Sequence, residues 1–175
     1  MTEVLSALLG TLVGSLISWF IGNRQSKLQA TFDLHREFHS GELYRSRVVA
    51  NRLITNNPTI SIDEILQKFP EEGFHLLQVA NFYQRLYIAI KHQQVKIELV
   101  PDLFGEIFIL WYEVSFKKQL LASNTRSHVR NSIIALHKWL RGNSRWSKKF
   151  EEWEAAALRD VERRLQHLQL QQSAD

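Results

Sequence analysis

The hydrophobic pattern of the chain begins with nineteen uncharged residues, from Val4 to Gly22. As an α-helix this run covers about 28 Å, close to the thickness of the hydrocarbon core of a bilayer. No basic residue precedes the run, whereas Arg24 and Lys27 follow it, which is the reverse of the order in a secretory signal peptide. The pattern therefore predicts an N-terminal transmembrane anchor over residues 1–22.

The basic flank of the run predicts its orientation. Lys and Arg residues beside a membrane span tend to stay on the cytoplasmic side. We therefore expect a single-pass protein of the bacterial inner membrane with its N-terminus outside and the rest of the chain in the cytoplasm. The bilayer itself is then a partner. The residues expected at its cytoplasmic interface are Trp19, Phe20, Arg24 and Lys27.

Small residues recur at every fourth position of the same run, so they share one side of a helix. They are Ser6, Gly10, Gly14, Ser18 and Gly22. Such a row permits close approach of two membrane helices, and it predicts packing against another membrane protein or a second copy of the chain. The alternative is that small residues are simply common in membrane spans.

Beyond Gly22 the pattern is helical throughout, so the fold class predicted is all-α. No helix breaker occurs before Ser40-Gly41, and residues 23–40 are expected to continue the first helix as a stalk. Residues 41–175 are expected to form a cytoplasmic bundle of five to six helices. Ser61 and Glu64 have the spacing of a capping box at a helix start. The longest apolar periodicities predict helices at 71–93, 102–121 and 147–171.

Composition and charge narrow the classes of function. The chain has no Cys, which excludes a disulfide framework, thiolate metal ligands and a cysteine nucleophile. Between positions 117 and 149 it carries nine Lys or Arg and no Asp or Glu. The predicted basic interaction surface consists of Arg126, Arg130, Lys138, Arg141, Arg145, Lys148 and Lys149. This surface could bind anionic lipid or an acidic protein, and nucleic acid is the least favoured partner. The alternative to any binding role is a solvated face whose charge is balanced by nearby acidic residues.

Two motifs invite a catalytic interpretation. His35 and His39 are spaced as in the zinc-protease motif HExxH, but Glu37 is one position too late and points away from the first His. We therefore predict no metal site and no cofactor. Arg130 and His137 have the R-x6-H spacing of a ribonuclease motif found in helical toxin and phage-defence domains. No P-loop, dinucleotide fingerprint, nucleophile elbow or calcium loop is present.

The segments ATFDLHREF at 30–38, NFY at 81–83, DLFG at 102–105 and WY at 111–112 carry a family resemblance. The chain resembles, over residues 4–120, a bacterial family of unknown function with one N-terminal span and a helical cytoplasmic domain. The resemblance implies an anchored helical module and transfers no catalytic or ligand-binding residues. The function predicted is a non-enzymatic accessory or scaffolding subunit of a membrane complex. The alternative is a membrane-tethered ribonuclease or abortive-infection effector that uses Arg130 and His137.

Overall fold

The structure is a computed structural model that describes the backbone of residues 2–58, 60–120 and 127–172, with side chains from residue 14 to 166 within these ranges and at 170. All regular structure in these ranges is helical, which confirms the all-α prediction. The α-helices are α1 Thr2–Phe38, α2 Gly41–Asn56, α3 Ile62–Lys68, α4 Pro70–Lys91, α5 Glu106–Trp111, α6 Ser127–Arg141 and α7 Ser147–Gln172. Ile97–Leu99 and Ser144–Trp146 are 3₁₀ turns, and Pro101–Gly105 and Tyr112–Leu120 are π-helical.

The predicted transmembrane anchor at residues 1–22 is wrong. Within the described part of the chain, no helix is both long and apolar enough to cross a membrane. The α-helix itself is continuous, because nothing interrupts α1 before Phe38.

The caps that separate the next helices follow directly from the sequence. Ser40 adopts an extended backbone and its hydroxyl accepts a hydrogen bond from the Leu43 amide, which starts α2. Ser61 and Glu64 form the predicted capping box, with the Glu64 carboxylate accepting from the Ser61 amide at 2.9 Å. Each cap satisfies amide groups that the first helical turn leaves unpaired.

The central helix of the bundle is α4, which packs against α2, α3 and α6. Two rows of apolar residues run along this helix, one from Leu76 to Ile90 and one from Val79 to Ala89, and both are buried apart from the half-buried Tyr87. A helix that is apolar over so much of its circumference needs neighbours on several sides. The buried apolar side chains of α4 are Leu76, Leu77, Val79, Ala80, Phe82, Tyr83, Leu86, Ala89 and Ile90.

Residues 101–120 bury a line of residues four apart rather than the row that follows regular α-helical spacing. That row consists of Leu103, Ile107, Leu110 and Val114, and it is only half-buried. Four α-helical residues complete slightly more than one turn, and four residues of the wider π-helix slightly less. Alternating the two therefore keeps positions four apart on one line. The buried line consists of Phe104, Phe108, Tyr112, Phe116 and Leu120.

Among the residues of α1 whose side chains are described, the buried ones lie in the second part of the helix. Phe38 is fully buried, with its ring centroid 5.0 Å from that of Phe82 and 5.8 Å from that of Phe104. The Thr31 hydroxyl accepts a hydrogen bond from the Lys96 amide at 2.7 Å and thereby ties α1 to the loop after α4. Full burial of a Phe side chain contributes about 1.5–3 kcal/mol, so Phe38 is a principal anchor of α1.

The last helix lies close against α5 and the π-helical segments beside it. A Cβ atom added to Gly105 would lie 2.5 Å from the Trp153 ring, so the glycine permits the close approach of α7. Phe150 and Ala157 on α7 are buried in the same contact. This packing sets the face of α7 that carries Glu154 next to the second π-helical segment.

Candidate functional site

The first part of α1 presents large apolar side chains that are exposed in the described part of the chain. Trp19 is 69% exposed, Leu16 65% and Phe20 64%. On the other side of the helix, a Cβ atom added to Gly14 or Gly22 would meet no atom within 4 Å. Both sides of this part of α1 are therefore largely exposed.

The residues predicted for membrane-helix packing and for the membrane interface lie on this part of α1. Ser18 is exposed like its glycine neighbours, while the side chains of Ser6 and Gly10 lie outside the described residues. Because no described helix can span a membrane, the membrane role given to the small-residue row and to Trp19, Phe20, Arg24 and Lys27 is not supported. Arg24 is exposed and Lys27 half-exposed, and both line a surface depression together with Lys96.

The predicted basic surface lies around the junction of α6 and α7, apart from Arg126, which lies outside the described residues. Lys138, Arg141, Arg145, Lys148 and Lys149 are exposed, and Arg130 is half-buried. The Lys149 ammonium forms an ion pair with Asp102 at 2.9 Å. The Trp146 ring lies beneath the Arg145 guanidinium and the Lys149 ammonium, at 5.1 and 4.8 Å from its centroid. Arg145 and Lys149 are thus engaged within the chain, whereas Lys138, Arg141 and Lys148 are exposed at the surface.

The ribonuclease alternative requires Arg130 and His137 to share a solvent-open cleft. His137 is instead 8% exposed, and its ring stacks on Tyr112 with centroids 3.9 Å apart and an interplanar angle of 11°. Phe150 packs against another side of the imidazole at 5.4 Å. This environment encloses the imidazole between helices.

The structure brings His35 and His39 together, with ring centroids 4.5 Å apart. Glu37 does not join them, because its carboxylate forms an ion pair with Arg85 on α4. Burial, followed by the charges of His35 and Arg47, lowers the pKa of His39. Two imidazoles without a carboxylate are a weak arrangement for a metal ion, which usually takes three protein ligands or more.

Sequence reasoning missed a cluster formed by Glu113, His137 and Glu154. They come from the second π-helical segment, α6 and α7, and their ligand atoms all lie within 4.8 Å of one another. Glu113 is 4% exposed, and Glu154 is half-buried. The Lys117 ammonium donates to Glu113 Oε2 at 2.9 Å and is the charged partner of this carboxylate.

Burial and neighbouring charges set the protonation of this cluster. Burial lowers the pKa of His137 to about 4, and Arg141 and Lys117 act in the same direction against the opposing effect of Glu113. The imidazole is therefore neutral near pH 7. The hydrogen bond to Glu113 raises the pKa of Lys117, which keeps the ammonium charged.

One signal in the sequence could have pointed to this cluster. Glu113 follows Trp111 and Tyr112 in a strongly apolar stretch, where an acidic side chain is unexpected unless it is paired. Its partners His137 and Glu154 come from helices that follow much later in the chain, and only tertiary packing brings them together.

Comparison with known proteins identifies the family of the chain. Residues 5–117, well over half of the 175 residues, match the family described as Domain of unknown function (DUF4760). The chain belongs to this family. Membership in an uncharacterised family is thereby confirmed, whereas the match does not extend to the bacterial origin or the membrane span that the resemblance implied. Neither a curated protein nor a solved structure matches the chain. Within this DUF4760 protein, Glu113 lies inside the matched region and His137 and Glu154 follow it.

Proposed function

We propose that this protein is a non-enzymatic accessory or scaffolding subunit that binds a partner protein through residues 14–22 of α1. The observation that carries the proposal is the exposure of Leu16, Trp19 and Phe20 on a helix that continues into the bundle. Large apolar side chains exposed side by side are characteristic of a surface that another protein covers.

The two sides of this segment indicate what kind of partner fits. Gly14, Ser18 and Gly22 form a narrow side with room for the backbone of a second helix. The opposite side carries the bulky residues and needs an apolar groove. A helix that is unprotected on both sides is most completely buried between two or more helices. The partner is therefore a protein with an apolar helical groove that accepts α1.

The basic residues near the apolar segment indicate that the partner protein carries acidic groups. Arg24 follows the apolar segment immediately, beside Lys27 and Lys96. The exposed part of the basic surface, with Lys138, Arg141 and the neighbouring residues of the α6–α7 junction, adds further positive charge. Acidic groups at the rim of the apolar groove would complement these residues, speed association and fix the orientation of the complex.

The ribonuclease or phage-defence alternative draws no support from the geometry. A general base needs access to the proton that it abstracts, and His137 lies enclosed between Tyr112 and Phe150. We therefore retain the interaction function as the proposal.

Affinity purification of the tagged full-length chain, with mass spectrometry and native mass determination, tests the proposal. We expect one partner in fixed stoichiometry with the wild-type chain. The double substitution Trp19→Ser and Phe20→Ser should release that partner. The matched control Phe74→Ser, which removes a 56% exposed aromatic residue of α4, should retain it. A chain that purifies alone, or a partner that is retained equally by the double variant, would contradict the proposal.

A further inference from the structure

The cluster of Glu113, His137 and Glu154 has the composition of a metal site. Among the described residues it is the one group of three or more His, Cys, Asp or Glu side chains whose ligand atoms lie within 4.8 Å of one another. Two atoms bound about 2.1 Å from a shared ion can be at most about 4.2 Å apart. Each ligand atom therefore needs to move by less than an ångström, which rotation of the half-buried Glu154 side chain permits.

A second feature of the cluster is independent of its carboxylates. The His137 Nε2 atom is buried without a hydrogen-bond partner, in a residue that is more than nine-tenths buried. A buried polar atom left unsatisfied costs about 1–3 kcal/mol. Tyr112 stacks on the imidazole with ring centroids 3.9 Å apart and thereby restricts the orientation of the ring.

We propose that Glu113, His137 and Glu154 bind one divalent transition-metal ion in the interior of the bundle. An imidazole with two carboxylates suits Zn²⁺, Mn²⁺ or Fe²⁺, whereas Ca²⁺ and Mg²⁺ prefer a larger set of oxygen ligands. Three protein ligands leave at least one coordination position for water or a further ligand. This site is distinct from the apolar surface of α1 and does not depend on the function proposed for it.

Two carboxylates at the site balance the two cations near it. Glu113 and Glu154 face the Arg141 guanidinium and the Lys117 ammonium, which contacts Glu113 through Oε2. The ammonium can remain on that oxygen while the second oxygen of the carboxylate binds the metal. Lys117 would then act as a positioning residue that fixes the orientation of Glu113. The side chain of Lys117 is 55% exposed, so it can also turn outward when the ion binds.

The π-helical segment explains why the site can form at this place. Segments of this type carry an irregular turn and occur frequently at functional sites. Here the π-helical segment buries both Tyr112 and Glu113. A regular α-helix continued from α5 would rotate these side chains to another side of the helix axis. Gly105 lets α7 approach the first π-helical segment closely. Glu154 of α7 thereby lies near Glu113 and His137.

Metal binding by the full-length chain tests the proposal. The purified protein is stripped with a chelator and dialysed against Zn²⁺, and bound metal is measured by elemental analysis; Co²⁺ then reports the ligand geometry through its visible absorption. We expect one Zn²⁺ per chain. Binding should weaken about tenfold or more in His137→Phe, which preserves the stacking on Tyr112, and in Glu154→Gln.

Two controls separate this site from adventitious binding at the surface. His39→Gln breaks the exposed His35–His39 pair, and Glu151→Gln removes an exposed carboxylate of α7; both should bind Zn²⁺ like the wild type. Circular dichroism checks the fold of each variant, and if His137→Phe does not fold, Glu154→Gln decides the question. Absence of Zn²⁺ from the wild type, unchanged binding by Glu154→Gln, or loss of the ion in His39→Gln would overturn the proposal.

Discussion

Two parts of one helix, residues 14–22 and 31–38 of α1, carry similar apolar side chains in opposite environments. Trp19 and Phe20 are more than 60% exposed, whereas Phe38 is fully buried among aromatic rings of α4 and the first π-helical segment. Aromatic side chains of similar hydrophobicity are therefore buried in one part of the helix and exposed in the other. Phe38 is covered by rings of the bundle, whereas no described residue covers Trp19 and Phe20 to the same extent.

Among the substitutions in α1, we expect the largest loss of folding stability from a change at Phe38. Phe38→Ala should lower the free energy of unfolding by about 3–5 kcal/mol, because it removes a buried ring and leaves a cavity beneath Arg47, whose guanidinium lies 4.0 Å from the ring centroid. Denaturant unfolding measures the change. A loss below about 1 kcal/mol would show that the second part of α1 is not anchored in the bundle.

The loss of the Thr31 hydroxyl should have the second-largest effect on the free energy of unfolding. Thr31→Val keeps the shape of the side chain but leaves the Lys96 amide without its acceptor, which should cost about 1–3 kcal/mol. Ser26→Ala removes a hydroxyl from an exposed position of the same helix and serves as the matched control. Equal effects of the two substitutions in denaturant unfolding would contradict the role of the Thr31 hydrogen bond.

The ion pair between Glu37 and Arg85 should have a smaller effect, because both side chains are substantially exposed. A double-mutant cycle with Glu37→Gln and Arg85→Gln should give a coupling energy of about 0.2–1 kcal/mol that declines as salt is added. Coupling well above this range would mean that the pair contributes more to the attachment of α1 than its exposure indicates.

The smallest effect on folding is expected in the first part of the helix. Trp19→Ser should change the free energy of unfolding by no more than about 0.5 kcal/mol, since 69% of the residue is exposed and little buried surface is lost. The same substitution should weaken association with the partner protein. Strong destabilisation of the isolated chain would show instead that Trp19 packs within its own fold.

Local features of the fold could be predicted from the sequence because their causes are local. The hydroxyl of Ser61 and the carboxylate of Glu64 cap a helix through neighbouring amides, and Ser40 begins α2 in the same way. The absence of breakers before Ser40 correctly predicts the long α1. The membrane span predicted at residues 1–22 is the exception, because no described helix is both long and apolar enough to cross a membrane.

The candidate site could not be predicted because its causes are tertiary. His35 and His39 stand four apart and attract attention in the sequence, yet Glu37 turns to Arg85 and leaves them without a carboxylate. Glu113 and His137 carry no such motif. Glu113 faces inward because the π-helical segment shifts the buried line of residues 101–120, and Glu154 joins the cluster because α7 packs closely against Gly105.

Site-specific photo-crosslinking in cells tests the central claim most directly. A photoreactive phenylalanine analogue replaces Trp19 in one chain and Phe74 in another, since both positions hold exposed aromatic residues. The account predicts one discrete protein adduct from position 19 and no corresponding adduct from position 74. No adduct at position 19, or the same products from both positions, would contradict the claim that the first part of α1 is covered by a partner protein.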